Sequence, residues 1–119
     1  MEARILLDSE AIRAAIGIGG RHVDHREILI EMGPLEALVK ISDTRGPHPC
    51  RLDMLAMDRA ALGPPAGPIA LELCRNAEVV ARGRTGPDGR LSLPIKTRGA
   101  FRLMFQGAGL RRTDVRIEI

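Results

Sequence analysis

Apolar and polar residues alternate with a period of two along the C-terminal half of this chain. Val115, Ile117 and Ile119, for example, are separated by Arg116 and Glu118. Because successive side chains of a strand point to opposite faces, this pattern indicates half-buried strands. It predicts strands over residues 69–75, 78–85, 90–95, 101–105 and 115–119, with Phe101 and Phe105 on the core face.

The N-terminal half carries shorter apolar runs that predict four further strands, over residues 4–7, 26–32, 35–42 and 50–57. The last of these has two interpretations. Leu52, Met54 and Ala56 alternate as in a strand, whereas Leu52, Leu55, Ala56 and Arg59 would also line one side of a helix. We interpret the segment as a strand, followed by a turn of helix or a loop over residues 58–62.

One short helix is predicted near the N-terminus. Asp8 or Ser9 can cap it, because their side-chain oxygens accept hydrogen bonds from free backbone N–H groups. Apolar residues then follow at helical spacing, and Gly17 is the expected stop. A helix of about two turns must pack on another element to be stable.

Turn residues between the predicted strands indicate where the chain reverses. The clearest turn covers residues 85–89, in which Pro87, Asp88 and Gly89 suit successive positions of a type I turn. We predict that it joins the strand ending near Arg84 to the strand beginning at Arg90 as an antiparallel hairpin. Further reversals are predicted at residues 33–34, 76–77, 97–99 and 107–109.

These elements predict a mainly β protein, an antiparallel β-sandwich with one short N-terminal helix, because each half-buried sheet needs a cover for its apolar face. The proline-rich residues 63–68 form a stiff link that separates either the two sheets of one sandwich or two half-domains. We assign residues 1–25 to an N-terminal strand, helix and glycine-rich link. Residues 26–119 are assigned to a single β-sandwich domain.

The charge pattern restricts the classes of partner. The 119-residue chain has a formal net charge of +3, and its only lysines among 18 basic residues are Lys40 and Lys96. The arginines are interspersed with acids and the chain has no Trp or Tyr. This argues against a nucleic-acid surface, which combines a basic patch with stacking aromatic residues. The sequence has no long apolar run and no secretory signal pattern, so we expect a cytoplasmic protein without a membrane span.

A cluster of imidazoles and carboxylates follows the predicted helix. His22, Asp24 and His25, with His48 from a later loop, would provide ligands for a metal-dependent enzyme, although structural zinc sites usually draw on two separated ligand pairs. We interpret these residues as solvated loop, expect no metal or other cofactor, and keep the metal-dependent enzyme as an alternative. The glycines of residues 17–20 follow a helix and lack the Lys-Ser/Thr pair of a phosphate-binding loop, so a flexible link is expected.

Two cysteines do not make a disulfide framework. Cys50 and Cys74 are expected to be small buried hydrophobic residues of a reduced protein. Contact between them across paired strands is left open.

Two motifs stand close together in the C-terminal half, namely Thr85 with Asp88-Gly89-Arg90-Leu91, and Gly99-Ala100-Phe101-Arg102-Leu103. They resemble the Thr-Asp-x-x-Gly-x-Phe and Gly-x-Tyr-x-Leu signatures of carboxypeptidase-regulatory-like domains, which are small transthyretin-like β-sandwiches. Gly86 and Leu91 stand where that family usually has an aspartate and an aromatic residue. Residues 26–42 are similar to the region that precedes these motifs in short bacterial proteins. The resemblance implies a non-catalytic module that interacts with, or stabilises, a neighbouring activity.

The sequence therefore predicts a protein–protein interaction module rather than an enzyme, acting as an accessory or regulatory subunit of a bacterial complex. Arg90, Arg102 and Arg116 point outward on their predicted strands, and on adjacent strands they would form a basic stripe that binds acidic groups of a partner. Exposed edge strands could also accept a strand from a partner. The alternative is a structural subunit of a larger homo- or hetero-oligomeric assembly, and a homo-oligomer is left open.

Overall fold

The computed structural model describes residues 3–9, 25–44 and 49–119, with only the backbone of His25. All the elements defined within these ranges are strands, and all paired strands are antiparallel. They are β1 (Arg4–Asp8), β2 (His25–Met32), β3 (Leu35–Asp43), β4 (Cys50–Asp58), β5 (Ile69–Arg75), β6 (Glu78–Arg84), β7 (Arg90–Ile95), β8 (Ala100–Gly107) and β9 (Leu110–Glu118).

The described strands form two sheets. The first sheet has the order β1-β2-β3-β4-β7, and the second has the order β6-β5-β8-β9. The prediction of a mainly β, antiparallel protein is confirmed in this form. The strand over residues 50–57 is also confirmed, as β4, because Leu52, Met54 and Ala56 all lie in the core.

Alternation along the strands produces two buried faces that meet in one core. In β3, Val39 and Ile41 are buried, whereas Lys40 between them is exposed. The buried rows of both sheets join a single hydrophobic cluster, which includes Phe101 and Phe105 as predicted. Full burial of a side chain of this kind contributes about 1.5–3 kcal/mol, so the shared core is the main source of stability.

The predicted hairpin between β6 and β7 is wrong. β6 pairs with β5 in the second sheet, and β7 pairs with β4 in the first. Residues 85–89 do reverse the chain locally, because the Gly86 N–H donates to the Arg90 carbonyl. Turn chemistry specifies a reversal but does not specify which strands pair. This turn carries the chain from the second sheet to the first, and residues 96–99 carry it back to β8.

Three of the other predicted reversals join neighbouring strands of one sheet. Residues 33–34 connect β2 to β3, and residues 107–109 connect β8 to β9. Asn76 connects β5 to β6 with a φ of 57°, a left-handed conformation that asparagine tolerates better than most residues. The stiff link of residues 63–68 runs from β4 in the first sheet to β5 in the second.

The N-terminal strand belongs to the first sheet, because β1 pairs with β2. The side chains predicted to cap a helix bond to β2: the Asp8 carboxylate lies 2.6 Å from the Arg26 guanidinium, and the Ser9 hydroxyl accepts from the Glu27 N–H at 2.9 Å. Arg26 also donates to the backbone carbonyl of Glu118 in β9, which ties the two sheets together. The predicted helix and glycine-rich link fall on residues 10–24, which lie outside the described residues.

Candidate protein-binding face

The outer face of the second sheet carries five arginines. Arg82 and Arg84 come from β6, Arg102 comes from β8, and Arg112 and Arg116 come from β9. The residues that alternate with them face the core, so these arginine side chains project from the opposite side of the sheet. We call this surface the arginine face.

Two sulfur atoms lie buried among these arginines on the solvent side of the sheet. Cys74 is 5% exposed and Met104 is 8% exposed, and the Cys74 Sγ lies 3.7 Å from the Met104 Sδ. Arg112 Nη2 lies 3.3 Å from the same Met104 sulfur. This contact is made by the guanidinium group itself, which donates to the sulfur of a buried side chain. The arginine face therefore has an apolar floor beneath charged groups.

Two hollows open on this face. The larger has a volume of about 350 Å³ and is lined by Glu72, Arg82, Arg84, Gln106 and Arg112 over the Met104 floor. The other has a volume of about 320 Å³ and lies between the ends of β5, β8 and β9, beside Arg102 and Arg116. Both hollows are open to solvent, and each is lined by at least two arginines.

Most of the arginine face has no carboxylate partner among the described residues. Arg102 Nη1 lies 3.7 Å from Asp114 Oδ2, and both side chains are well exposed, so this pair contributes no more than about 1 kcal/mol. Within the described ranges, no ion pair involves Arg82, Arg84 or Arg116. Planar guanidinium groups of this kind bind carboxylates through two parallel hydrogen bonds.

The structure brings together two of the three arginines that were predicted to form a basic stripe. Arg102 and Arg116 are direct cross-strand partners on β8 and β9. Arg90 lies in β7 of the first sheet, beside Asp88 at 3.8 Å. The three residues do not form one stripe, because the turn before β7 changes sheets.

Sequence reasoning missed Arg82, Arg84 and Arg112. The first two alternate around Gly83, which is the signal that could have placed them on one face. That signal was weak because β6 has consecutive apolar residues at Val79 and Val80, where the ladder with β5 shifts register. Their proximity to β8 and β9 depends on the strand order, which local patterns do not specify.

The residues that carry the family resemblance hold the two sheets together. Thr85 is buried, and its hydroxyl accepts from the Ile69 N–H at 2.9 Å. At the other end of the turn, the Gly89 carbonyl accepts from the Ala56 N–H at 2.8 Å. Gly89 has a φ of 77°, and a Cβ there would lie 2.4 Å from the Ala56 oxygen. These positions therefore have structural roles in this chain.

A second glycine lets the two sheets approach at the side where β6 and β7 meet. A Cβ at Gly83 would lie 2.6 Å from Leu91 Cδ1 and 2.9 Å from Leu93 Cδ2. The leucine side chains of β7 therefore pack directly over the backbone of β6. This contact fixes the position of the strand that carries Arg82 and Arg84.

The prediction that the cysteines are buried residues without a disulfide is confirmed. Cys50 lies on the core side of β4 and Cys74 lies on the outer side of β5, in different sheets. Burial raises the pKa of the Cys50 thiol, against the opposing effect of the Arg98 guanidinium. Arg98 also donates a hydrogen bond to Asp43, which raises the pKa of that guanidinium. A raised pKa keeps the Cys50 thiol protonated at neutral pH and lowers its reactivity.

Of the predicted histidine cluster, the structure describes the backbone of His25, which begins β2 in the first sheet. His22, Asp24, His48 and the side chain of His25 lie outside the described residues. Within the described part of the chain, no group of three or more His, Cys, Asp or Glu side chains is arranged to hold a metal ion. The same part of the chain contains no helix long and apolar enough to cross a membrane.

Comparison with protein-family models, with curated proteins and with solved structures found no match to this chain.

Proposed function

We propose that this chain is a non-catalytic β-sandwich module that binds an acidic segment of a partner protein through the arginine face. In this role it would act as an accessory or regulatory subunit of a complex. The observation that carries the proposal is the gathering of five arginines on one outer face, with a carboxylate partner among the described residues only for Arg102.

The chemistry of the face supports binding rather than proton transfer. Arginine remains protonated throughout the range in which proteins work, so it recognises anions and does not act as a general acid or base. Its fork of N–H donors matches a carboxylate with two parallel hydrogen bonds. Three carboxylates, Glu72, Asp114 and Glu118, share the face with the five arginines, so it attracts acidic groups in preference to basic ones.

The proposed fold within the two-sheet class is a transthyretin-like sandwich. One support is the positions of Thr85 and Gly89, which anchor the turn between the sheets. The other is Gly99, whose N–H donates to the Ile119 carbonyl at 3.0 Å and whose carbonyl accepts from the Ile119 N–H at 2.8 Å. Small sandwiches of this type commonly serve as modules beside other activities. Because a fold does not carry a function with it, the proposal depends on the arginine face.

The first test is a titration with an oligoglutamate peptide, followed by backbone amide chemical shifts. We expect shifts in β6, β8 and β9 that decrease at high salt, because exposed charges are screened. The double variant Arg82→Glu with Arg116→Glu should lose the binding. The double variant Arg51→Glu with Arg90→Glu changes the net charge equally on the first sheet and should retain it. Equal loss in both variants would mean that net charge alone attracts the peptide and would overturn the proposal.

The second test looks for the partner in the native host. A photoreactive amino acid at Gln106, which is exposed at the larger hollow, is compared with one at Lys40 on the outer face of the first sheet. We expect a covalent adduct with a defined acidic protein from position 106 and none from position 40. The adduct should disappear with Arg82→Glu and Arg116→Glu. Adducts of equal yield from both positions would contradict a binding site on the second sheet.

A further inference from the structure

The four sheet edges of the described strands differ in how open they are to another strand. β7 contains Pro94, which has no N–H to donate, and β1 is five residues long with an irregular register at Ile5. The edge at β9 is partly covered, because the Ala3 N–H donates to the Asp114 carbonyl at 3.1 Å. β6 has seven residues without proline, and most of its side chains are exposed.

The register of the β5–β6 ladder identifies which backbone groups of β6 point to the open side. The Thr85 N–H donates to the Ile69 carbonyl, directly opposite, so these two residues form a hydrogen-bonded pair. Hydrogen-bonded and non-hydrogen-bonded pairs alternate along an antiparallel ladder. Gly83 therefore bonds to β5, whereas the N–H and carbonyl groups of Arg82 and Arg84 point away from it, to the open edge.

The same two residues that present open backbone groups also carry charge on the arginine face. A strand added beside β6 would place alternate side chains on the arginine face, next to Arg82 and Arg84. The intervening side chains would point to the other side, toward Gly83 and Leu91 of β7. Carboxylates therefore fit one set of positions, and small or apolar side chains fit the other.

From this geometry we infer that β6 is the docking edge for an extended strand of the acidic partner, with carboxylates at alternate positions. The inference rests on the proposed function and adds the conformation and residue pattern of the bound segment. A second copy of the chain fits the same stretch poorly, because antiparallel pairing centred on Gly83 would set Arg82 of one copy against Arg84 of the other. An acidic strand instead neutralises both arginines and satisfies the open backbone groups.

The probe for this inference is a peptide of alternating glutamate and threonine, and its control has the same composition with the glutamates in one block. We expect the alternating peptide to bind about tenfold more tightly, because only its carboxylates reach both arginines while its backbone pairs with β6. At saturation, hydrogen exchange of the Arg82 and Arg84 amides should slow by about tenfold or more. Exchange of the Leu103 amide, within the centre of the sheet, should stay unchanged.

Two variants separate backbone pairing from charge. Arg82→Pro removes an amide that points to the open edge, and Arg82→Gln with Arg84→Gln removes charge while keeping the backbone donors. Both should weaken binding of the alternating peptide by about tenfold, and the second should leave the block peptide less affected. The hydrogen-exchange measurement needs no variant, so it tests backbone pairing with β6 even if the proline substitution disturbs that strand.

The outcomes distinguish the inference from the proposed function. Equal binding of both peptides to the arginine face, with unprotected β6 amides, would overturn the edge-strand inference and leave the proposed function standing. If neither peptide bound, both the edge-strand inference and the proposed function would be overturned. Protection of the Arg82 and Arg84 amides that rises with protein concentration in the absence of peptide, together with a dimer in analytical ultracentrifugation, would assign the edge to a second copy and overturn the inference.

Discussion

The two sheets use the same residue type in different ways on their outer faces. On the first sheet, arginines pair with carboxylates: Arg4 and Arg59 both contact Glu31, at 3.2 and 2.8 Å, and Arg51 contacts Asp53 at 3.0 Å. On the second sheet, the ion pair found among the described residues joins Arg102 to Asp114, at the longer distance of 3.7 Å. Arginine therefore serves local charge balance on one side of the molecule, whereas on the other side four of the five arginines have no carboxylate partner among the described residues.

The difference lies in where the acids are placed. The first sheet has Glu31, Glu36 and Asp53 among its outward residues, close to the basic ones. The second sheet places Glu72 directly opposite Arg82, yet the structure forms no ion pair between them among the described contacts. An excess of cations on one face costs some stability through repulsion, and such an excess is typical of a surface that meets an oppositely charged partner.

The largest effect should come from the core on which both faces depend. Phe101→Ala should lower the free energy of unfolding by about 3–5 kcal/mol, because the ring is buried and its removal leaves a cavity. Its neighbour Arg102 points to the arginine face, so Arg102→Ala should cost no more than about 0.5 kcal/mol. Urea unfolding of both variants measures these values. Similar losses at the two positions would mean that the assignment of inner and outer faces is incorrect.

The next effect concerns the turn that carries the chain between the sheets. Gly89→Ala should cost about 3 kcal/mol, because the new Cβ meets the Ala56 carbonyl of β4 in addition to the strain of a positive φ. Gly109 has a similar φ of 79° but nothing within 4 Å of its Cβ position, so Gly109→Ala should cost only about 1–2 kcal/mol. Thermal or urea unfolding compares the two. If both alanine variants lost equal stability, close contact between the turn and β4 would be excluded.

The smallest effect tests the comparison of the outer faces directly. Glu31→Gln removes the shared partner of two arginines on the first sheet and should cost about 1 kcal/mol. Asp114→Asn removes the looser partner of Arg102 on the second sheet and should cost less than about 0.5 kcal/mol. The measurement is urea unfolding at low salt, where exposed charges are least screened. A larger loss for Asp114→Asn would mean that the arginine face is balanced internally after all.

Much of the fold could be predicted from the sequence because its causes are local. Strands such as β5 and β8 follow from the alternation of large apolar residues with polar ones, and Phe101 and Phe105 were placed correctly in the core. The start of β9 at Leu110 was missed, since the polar Thr113 takes a buried position there. Alternation identifies an apolar face, but it does not detect a strand whose inner position is filled by threonine.

The part that could not be predicted depends on contacts between distant residues. The turn at residues 85–89 has the composition of a hairpin, but Thr85 and Gly89 bond to strands of different sheets. Because of this crossing, Arg90 lies in the first sheet, apart from Arg102 and Arg116. Arg82 and Arg84 lie with those two arginines in the second sheet. Pairing across sheets is decided by which apolar faces pack best together, which is a property of the whole chain.

The crossing at residues 85–89 also has a consequence for synthesis of the protein. β7 completes the first sheet, yet it follows two strands of the second, so the β4 edge stays uncovered until residues 90–95 have left the ribosome. Completion of the first sheet must therefore wait for residues 90–95 to emerge. Nascent chains halted before that point should remain sensitive to proteases, and resistance should appear only once β8 has also emerged, because β8 supplies Phe101 and Phe105 to the shared core.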